Sequence, residues 1–368
     1  MKTRLLYSCL LWLGFCSLFS ARLGAQPTSR SALLALSKQD HTLSIIDPGT
    51  LRVLAAVPVG DDPHEVIASA DGTAAYVSNY GFGAFHTLSV VDLAGQKRLG
   101  SIDLGALCGP HGLDFELGKV WFTAEVAKAI GSYDPGTGKI DWIMGTGQNR
   151  THMVHVFRDG KRIVTTNVNS ATVTVMEKTE GRAGGPPAGA GVPGMGPEGG
   201  KSGPPPGMQP GPRPAPPAPP GGDWTLTVIP VGRGSEGFDV SPDGKQIWVA
   251  NAQDGTLSII DVAAKKVTAT LAANVRGANR VKFTPDGKLV LVSCGSALLV
   301  LDAVTQKEVK RLTDVHASGG IQMQPDGARA YAACGRDGYV AVIDLKTLEM
   351  VGKVMVAGPD GLAWAVQP

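Results

Sequence analysis

Ser241-Pro242-Asp243-Gly244, then Ile247-Trp248-Val249-Ala250-Asn251, then Leu257-Ser258-Ile259-Ile260-Asp261, is one complete copy of a pattern that this chain repeats. Weaker copies are Thr284-Pro285-Asp286-Gly287 with Leu298-Leu299-Val300-Leu301-Asp302, and Gln324-Pro325-Asp326-Gly327 with Val340-Ala341-Val342-Ile343-Asp344. Earlier copies end in Ile45-Ile46-Asp47, Val90-Val91-Asp92, Ser132-Tyr133-Asp134 and Val173-Thr174-Val175-Met176. The aspartates at 47, 92, 134, 261, 302 and 344 are spaced by 45, 42, 127, 41 and 42 residues, so the long gap holds the copy ending at Met176 and an insertion of about one period. A period in the low forties, with apolar residues alternating or in short bursts, is four short strands and not helix pairs. Seven copies predict an all-β, seven-bladed β-propeller of four-stranded blades.

The chemistry of the repeat is structural. Asp-Gly at 71–72, 243–244, 286–287 and 326–327 suits tight hairpins, with proline ahead of three of them. The aspartate ending each third strand is placed to accept hydrogen bonds from the following turn. At the chain ends, Leu33–Leu36 begins a blade at its second strand, while Pro359-Asp360-Gly361-Leu362-Ala363-Trp364-Ala365 reads as an innermost strand without companions. Pairing the two closes the ring and removes two free edges.

The second-strand motif resembles that of the YVTN-repeat propellers: Tyr76-Val77-Ser78-Asn79, Trp248-Val249-Ala250-Asn251 and, further from the pattern, Tyr331-Ala332-Ala333-Cys334 and Leu291-Val292-Ser293-Cys294. The resemblance spans about residues 33–366 apart from the insertion. It implies the fold and, for function, either surface-layer-type or lactonase-type propellers, since one scaffold carries unrelated activities.

Lys2 and Arg4 precede an apolar run from Leu5 to Phe19 and small residues up to Ala25, which reads as a signal peptide over 1–25, followed by a single propeller over 26–368. The apolar run is too short to span a bilayer, so no transmembrane anchor is expected once the signal is removed. Losing residues 1–25 removes Lys2, Arg4 and Arg22 and no acid, taking the formal charge from +2 to −1. With no basic block left, nucleic acid is excluded as a partner. The expected location is periplasmic or secreted, as a monomeric ring.

Cys294 and Cys334 occupy equivalent positions on adjacent blades, which invites a disulfide in an oxidising compartment. Seven-fold placement separates such positions by about 9 Å, beyond the ~7 Å reach of a bridge. Either the backbone distorts locally or the two remain small buried thiols. Residues 180–223 are almost all Gly, Pro and Ala, too poor in apolar surface to order themselves, and form a disordered loop within blade four. Its proline runs are either a mobile spacer or polyproline II stretches for a partner.

Aligning the innermost strands on Val66, Leu113, Val154, Phe238, Val281, Ile321 and Leu362 places His64, His111, His152, Glu236, Asn279, Gly319 and Asp360 at one common position. Closure of the ring therefore brings three histidines from consecutive blades to one channel mouth. The predicted ligand-binding set is His64, His111, His152, Glu236, Asn279, Arg280 and Asp360. Within it, His64, His111, His152 and Glu236 are the candidate ligands of a transition metal, Zn, Cu, Ni or Fe. Two other readings stand beside that one: a solvated polar rim, or acid–base work on a small substrate with Arg280 opposite developing negative charge. No Ser-His-Asp spacing, HExxH or phosphate loop specifies a catalytic residue. Tyr80, Phe82 and Phe85 lie in a loop on the same face, where they either stack on a sugar or peptide or cover blade two. The expectation is an exported, non-catalytic propeller of the cell envelope that binds a protein, polysaccharide or small molecule on its histidine face. The competing expectation is a lactonase-like hydrolase or metal-dependent enzyme at the same mouth.

Overall fold

The computed structural model describes residues 31–179 and 224–366. Seven antiparallel four-stranded sheets stand around one axis. From the axis outward, blade one is Pro359–Val366, Ser31–Ser37, Thr42–Asp47 and Arg52–Pro58. The innermost strands of blades two to seven are Pro63–Ala68, Pro110–Glu116, Thr151–Val156, Ser235–Val240, Arg280–Phe283 and Ile321–Met323. The all-β seven-bladed architecture is the one the repeat predicts.

Closure is as expected: the C-terminal strand pairs with Ser31–Ser37 in the register Leu33↔Trp364, Leu34↔Ala363 and Ala35↔Leu362. A ring locked this way has no free innermost edge. The strands flanking the blade-four insertion, Thr172–Lys178 and Trp224–Pro230, pair antiparallel in one sheet, so the chain leaves and rejoins a single blade there. The insertion at 180–223 and the segment read as a signal peptide lie outside the described residues. Among the described residues no helix is long and apolar enough to cross a membrane.

The core lies between blades, because each sheet buries both faces against its neighbours. Leu34, Leu36 and Ala363 of blade one pack with Val66, Ala75, Val77 and Val91 of blade two. Leu33, Ala35, Ile46 and Leu362 meet Tyr331, Val340 and Val342 of blade seven. Trp248, fully buried, and Phe283 fill the junction of blades five and six. Each such side chain contributes roughly 1.5–3 kcal/mol. The repeated aspartates are turn caps: Asp47 accepts from the Gly49 and Thr50 N–H groups, Asp302 from Val304 and Thr305, and Asp344 from Lys346 and Thr347, at 2.6–3.2 Å. Cys294 and Cys334 are free and buried, the undistorted alternative for that pair.

Candidate functional site

The residues aligned at the channel mouth sit on a recurring irregularity. In blades two to five the innermost strand carries two residues opposite one on the second strand: His64-Glu65 faces Ser78, His111-Gly112 faces Thr123, His152-Met153 faces Thr166, and Glu236-Gly237 faces Ala250. Blade one repeats it with Asp360-Gly361 opposite Leu36. A bulge of this kind bends the strand and re-aims a side chain. The broken ladder is repaired by hydroxyls: Ser78, Thr123 and Thr166 accept the N–H groups of Glu65, Gly112 and Met153 at 2.8–3.3 Å. Two of the hydroxyls also donate across blades, Thr123 to the His152 carbonyl at 2.7 Å and Thr166 to the Glu236 carbonyl at 2.6 Å. A Cβ on Gly112 would come within 2.6 Å of the His152 carbonyl oxygen, so glycine is what lets the strands bearing His111 and His152 approach.

The three imidazoles do converge. Their ring centroids are 4.9 Å apart for His64–His111 and 3.9 Å for His111–His152, with His111 and His152 only 3% and 2% exposed. Each meets a different partner. His64 is held by Lys38 Nζ at 2.6 Å from Nε2, by Asp62 at 3.2 Å and by Asp360 at 3.5 Å. Burial, opposed by Asp360 and reinforced by Lys38, lowers its pKa to about 4, so the ring is neutral and accepts from the lysine.

His152 lies between two carboxylates. Its Nδ1 contacts Glu125 Oε1, and its Nε2 is 2.8 Å from Glu236 Oε2 in an alignment too poor for a hydrogen bond. Burial alone would lower this histidine, but Glu236 and Glu125 outweigh it and hold the imidazolium. Burial would likewise raise Glu236, yet His152, Arg150 and Arg280 bring it down to about 2. Arg150 bridges the two acids, with Nε 3.4 Å from both Glu125 oxygens and Nη1 3.4 Å from Glu236. Tyr80 donates its hydroxyl to Glu125 Oε2 and stands edge-on to His64 and His111 at 4.8 and 5.2 Å.

His111 differs from both neighbours. Among the described residues neither of its ring nitrogens has a hydrogen bond, and Nδ1 is fully enclosed. Burial and the adjacent cations push its pKa well below the usual histidine value.

Across the axis, Arg280 of blade six reaches Glu65 of blade two, which is not a neighbouring blade, so a buried ion pair spans the channel. Its other amino group is taken by the Asn279 carbonyl and side-chain oxygens. Burial opposes the charge on Arg280, but Glu65 and Asp360 outweigh it. Both amino groups of Arg280, a member of the expected ligand-binding set, are thus already engaged by the protein, while its Nε has no hydrogen-bond partner.

The structure brings all seven expected residues to one mouth, but the group able to share a single ion differs from the expected four. His111, Glu125 and His152 each offer a ligand atom within 4.8 Å of the others. His64 is committed to Lys38, Asp62 and Asp360, while Glu236 touches the far nitrogen of His152. Tyr80 was expected on this face, but the reading of the innermost strands missed Lys38, Glu125, Asp62 and Arg150, and the repeat carries a signal for each. The position just after the second-strand motif is Lys38, Tyr80 and Glu125 in blades one to three, but Val168, Ala252, Gly295 and Gly335 thereafter. Two residues before the mouth position the backbone is left-handed in every blade but the seventh, with glycine at 109, 234, 277 and 358 but Asp62 (φ 47°) and Arg150 (φ 59°) in blades two and four. A non-glycine residue there costs about 1–2 kcal/mol. Both exceptions bear charges that contact the histidine cluster. Of the aromatic loop, Tyr80 turns inward, whereas Phe82 is 92% exposed.

A surface cleft of about 560 Å³ between blades seven and one, lined by Pro48, Gln324, Arg329 and Trp364, contains no histidine or cysteine. The mouth is therefore the one place among the described residues where buried titratable groups converge with unpartnered nitrogens.

The fold and site define a seven-bladed propeller with a charged, histidine-bearing mouth. Solved structures share the fold at low identity. A protein of unknown function from Desulfotomaculum acetoxidans is 12% identical with a TM-score of 0.66, covering 91% of this chain and 98% of that one. A candidate 6-phosphogluconolactonase from Bacteroides fragilis is 16% identical at 0.66, covering 92% and 99%. Hydrazine synthase from Kuenenia stuttgartiensis is 19% identical at 0.62, covering 83% and 90%. Such likeness shows the fold alone. No protein-family model and no curated protein matches the chain.

Proposed function

We propose that this chain is an exported, YVTN-like propeller of the cell envelope, periplasmic or secreted, whose histidine-bearing mouth binds a small neutral or cationic ligand without turning it over. The observation that carries the reading is His111, a buried imidazole with no hydrogen-bond partner on either ring nitrogen, set among ion-paired side chains. A buried polar group left unpaired costs about 1–3 kcal/mol, which a bound partner would recover.

The charge balance sets the ligand class. Asp62, Glu65, Glu125, Glu236 and Asp360 face Lys38, Arg150, Arg280 and the His152 imidazolium, leaving one negative charge in excess. All four cations are engaged by carboxylates, so no free cation awaits a phosphate or carboxylate. That disfavours a phosphorylated sugar lactone, the class named for the Bacteroides fragilis structure. Hydrolysis is disfavoured too. Among the described residues no serine, threonine or cysteine hydrogen-bonds a histidine ring, and the His64 ring, near 4, is a weak general base.

Two measurements test this. Lactone hydrolysis followed by pH-stat, with glucono-1,5-lactone and its 6-phosphate, should not exceed the uncatalysed rate; a tenfold excess overturns the non-catalytic reading. A thermal-shift panel of neutral polyols, primary and quaternary amines, divalent cations and 6-phosphogluconate should show stabilisation by a neutral or cationic member, lost in His111→Phe. Stabilisation by 6-phosphogluconate alone, or by nothing in the panel, overturns the ligand class.

A further inference from the structure

Resting on that reading of the mouth as a binding site, we infer that its ligand is a divalent transition-metal ion held by His111, Glu125 and His152, a donor set that differs from the repeat-aligned four. Two nitrogens and one carboxylate oxygen within 4.8 Å need only a small contraction to surround one ion, and a His₂Glu set leaves coordination positions open. Two of the donors are held on bulged innermost strands of adjacent blades, and the third directly follows a second strand. None depends on a long loop.

The surroundings are those of an outer coordination shell. With Nδ1 of His152 turned to the ion, its Nε2 lies 2.8 Å from Glu236 Oε2, a contact that a small rotation turns into the carboxylate–histidine–metal hydrogen bond. Glu125 Oε2 is held by the Tyr80 hydroxyl, which leaves Oε1 as the ligating oxygen. That oxygen lies against His152 Nδ1, so two of the three donor atoms are already brought together. His111 supplies a nitrogen that breaks no existing bond. The excess of carboxylates over Lys38, Arg150 and Arg280 at the mouth offsets the charge of the ion.

The test uses the full chain, purified without a polyhistidine tag and stripped with EDTA. Calorimetric titration with ZnCl₂ at pH 7.5 should give one ion per chain. Affinity should fall at least 100-fold in His111→Ala and Glu125→Gln and about tenfold in Tyr80→Phe, with no change in His41→Ala, whose exposed ring pairs with Asp61. Since Glu125→Gln could unfold the ring, CoCl₂ added to the wild type supplies a second readout: visible d–d bands of a low-coordinate nitrogen–oxygen site, bleached by equimolar Zn²⁺. No saturable Zn²⁺ binding, or binding unchanged by His111→Ala, overturns the metal site. If Zn²⁺ fails while a polyol or amine still stabilises the protein in a His111-dependent way, the metal is wrong and the binding mouth stands. If both fail, both fall.

Discussion

The two arcs of the channel mouth are built on one backbone plan and carry opposite chemistry. Through blades two to four the mouth position is His64, His111 and His152, backed by Lys38, Tyr80 and Glu125. In blades six and seven it is Asn279 and Gly319, backed by Ala252 and Gly295. Yet Ser293 of blade six accepts the Arg280 N–H at 3.0 Å and donates to the Gly319 carbonyl at 3.0 Å, repeating the hydroxyl bridges of the histidine arc. Groups that hold blade to blade are shared around the ring, and groups that face the opening are not. In a repeat protein, departure from the repeat is where function is to be sought.

The largest expected effect tests the shared part. Removing residues 359–368 deletes the innermost strand of blade one, together with Leu362, Ala363 and Ala365 from two inter-blade clusters. The ring should open, and limited proteolysis should digest the truncated chain while full-length protein resists. Resistance equal to the parent would mean that the seven blades hold without closure. Next in size is the histidine arc: Glu125→Ala removes the acceptor of His152, Tyr80 and Arg150 together. Unpairing a buried charge costs about 3–5 kcal/mol, to be read from urea denaturation. Val168→Ala, the equivalent position one blade on, should cost under half of that if the arcs differ as described.

The sequence made the ring legible because its signals are local and repeated: the period, the turn aspartates and the unpaired strand at each end. The three mouth histidines were legible for the same reason, one alignment column placing them. Glu125 and Arg150 were not, because each acts on a mouth position it does not occupy. Glu125 follows a second strand of blade three and contacts a histidine of blade four, a pairing that only the inter-blade approach creates. Arg280 shows the converse. Its place at the mouth was evident, but its partner Glu65 lies 215 positions away on a blade across the axis, so neutralisation of the one expected anion-binding group could not be foreseen.

Acidification separates the arcs further. His64 faces Lys38, Asp62, Asp360 and Arg280, and its pKa falls from 6.5 unfolded to about 4 folded. Below 6.5 the unfolded chain takes up a proton that the folded chain refuses, so stability present above 6.5 is lost as pH falls toward 4. A shift of this size is worth about 3 kcal/mol. Glu236, brought down from 4.5 to about 2, adds a further loss below 4.5. His152, raised in the fold, acts oppositely: its contribution is complete below 6.5 and fades as pH rises through its folded pKa. In EDTA-treated protein, His64→Gln should make the decline between pH 6.5 and 4 shallower, leaving the part due to His111 and the part below 4.5. An unchanged profile would place the proton uptake elsewhere.

The smallest effect concerns backbone strain. Arg150 holds φ 59° where four equivalent positions are glycine, and its guanidinium spans Glu125 and Glu236. Arg150→Ala and Arg150→Gly lose the same ion pairs, but only glycine relieves the left-handed backbone. The glycine variant should therefore be more stable than the alanine variant by about 1 kcal/mol, measured as a difference in urea midpoint at constant slope. Gly277, the equivalent position of blade six, keeps φ 74° and no charge, and a Cβ there would meet only the Cys294 carbonyl at 3.8 Å, so Gly277→Ala should add the strain without any ion-pair loss. Arg150→Ala keeps the strain, so its whole cost is what the guanidinium does for the paired acids, and a cost near zero would mean that those ion pairs contribute nothing. If Arg150→Ala costs more than Gly277→Ala, the ion pairs outweigh the strain, which is why blade four tolerates a side chain where four equivalent positions are glycine.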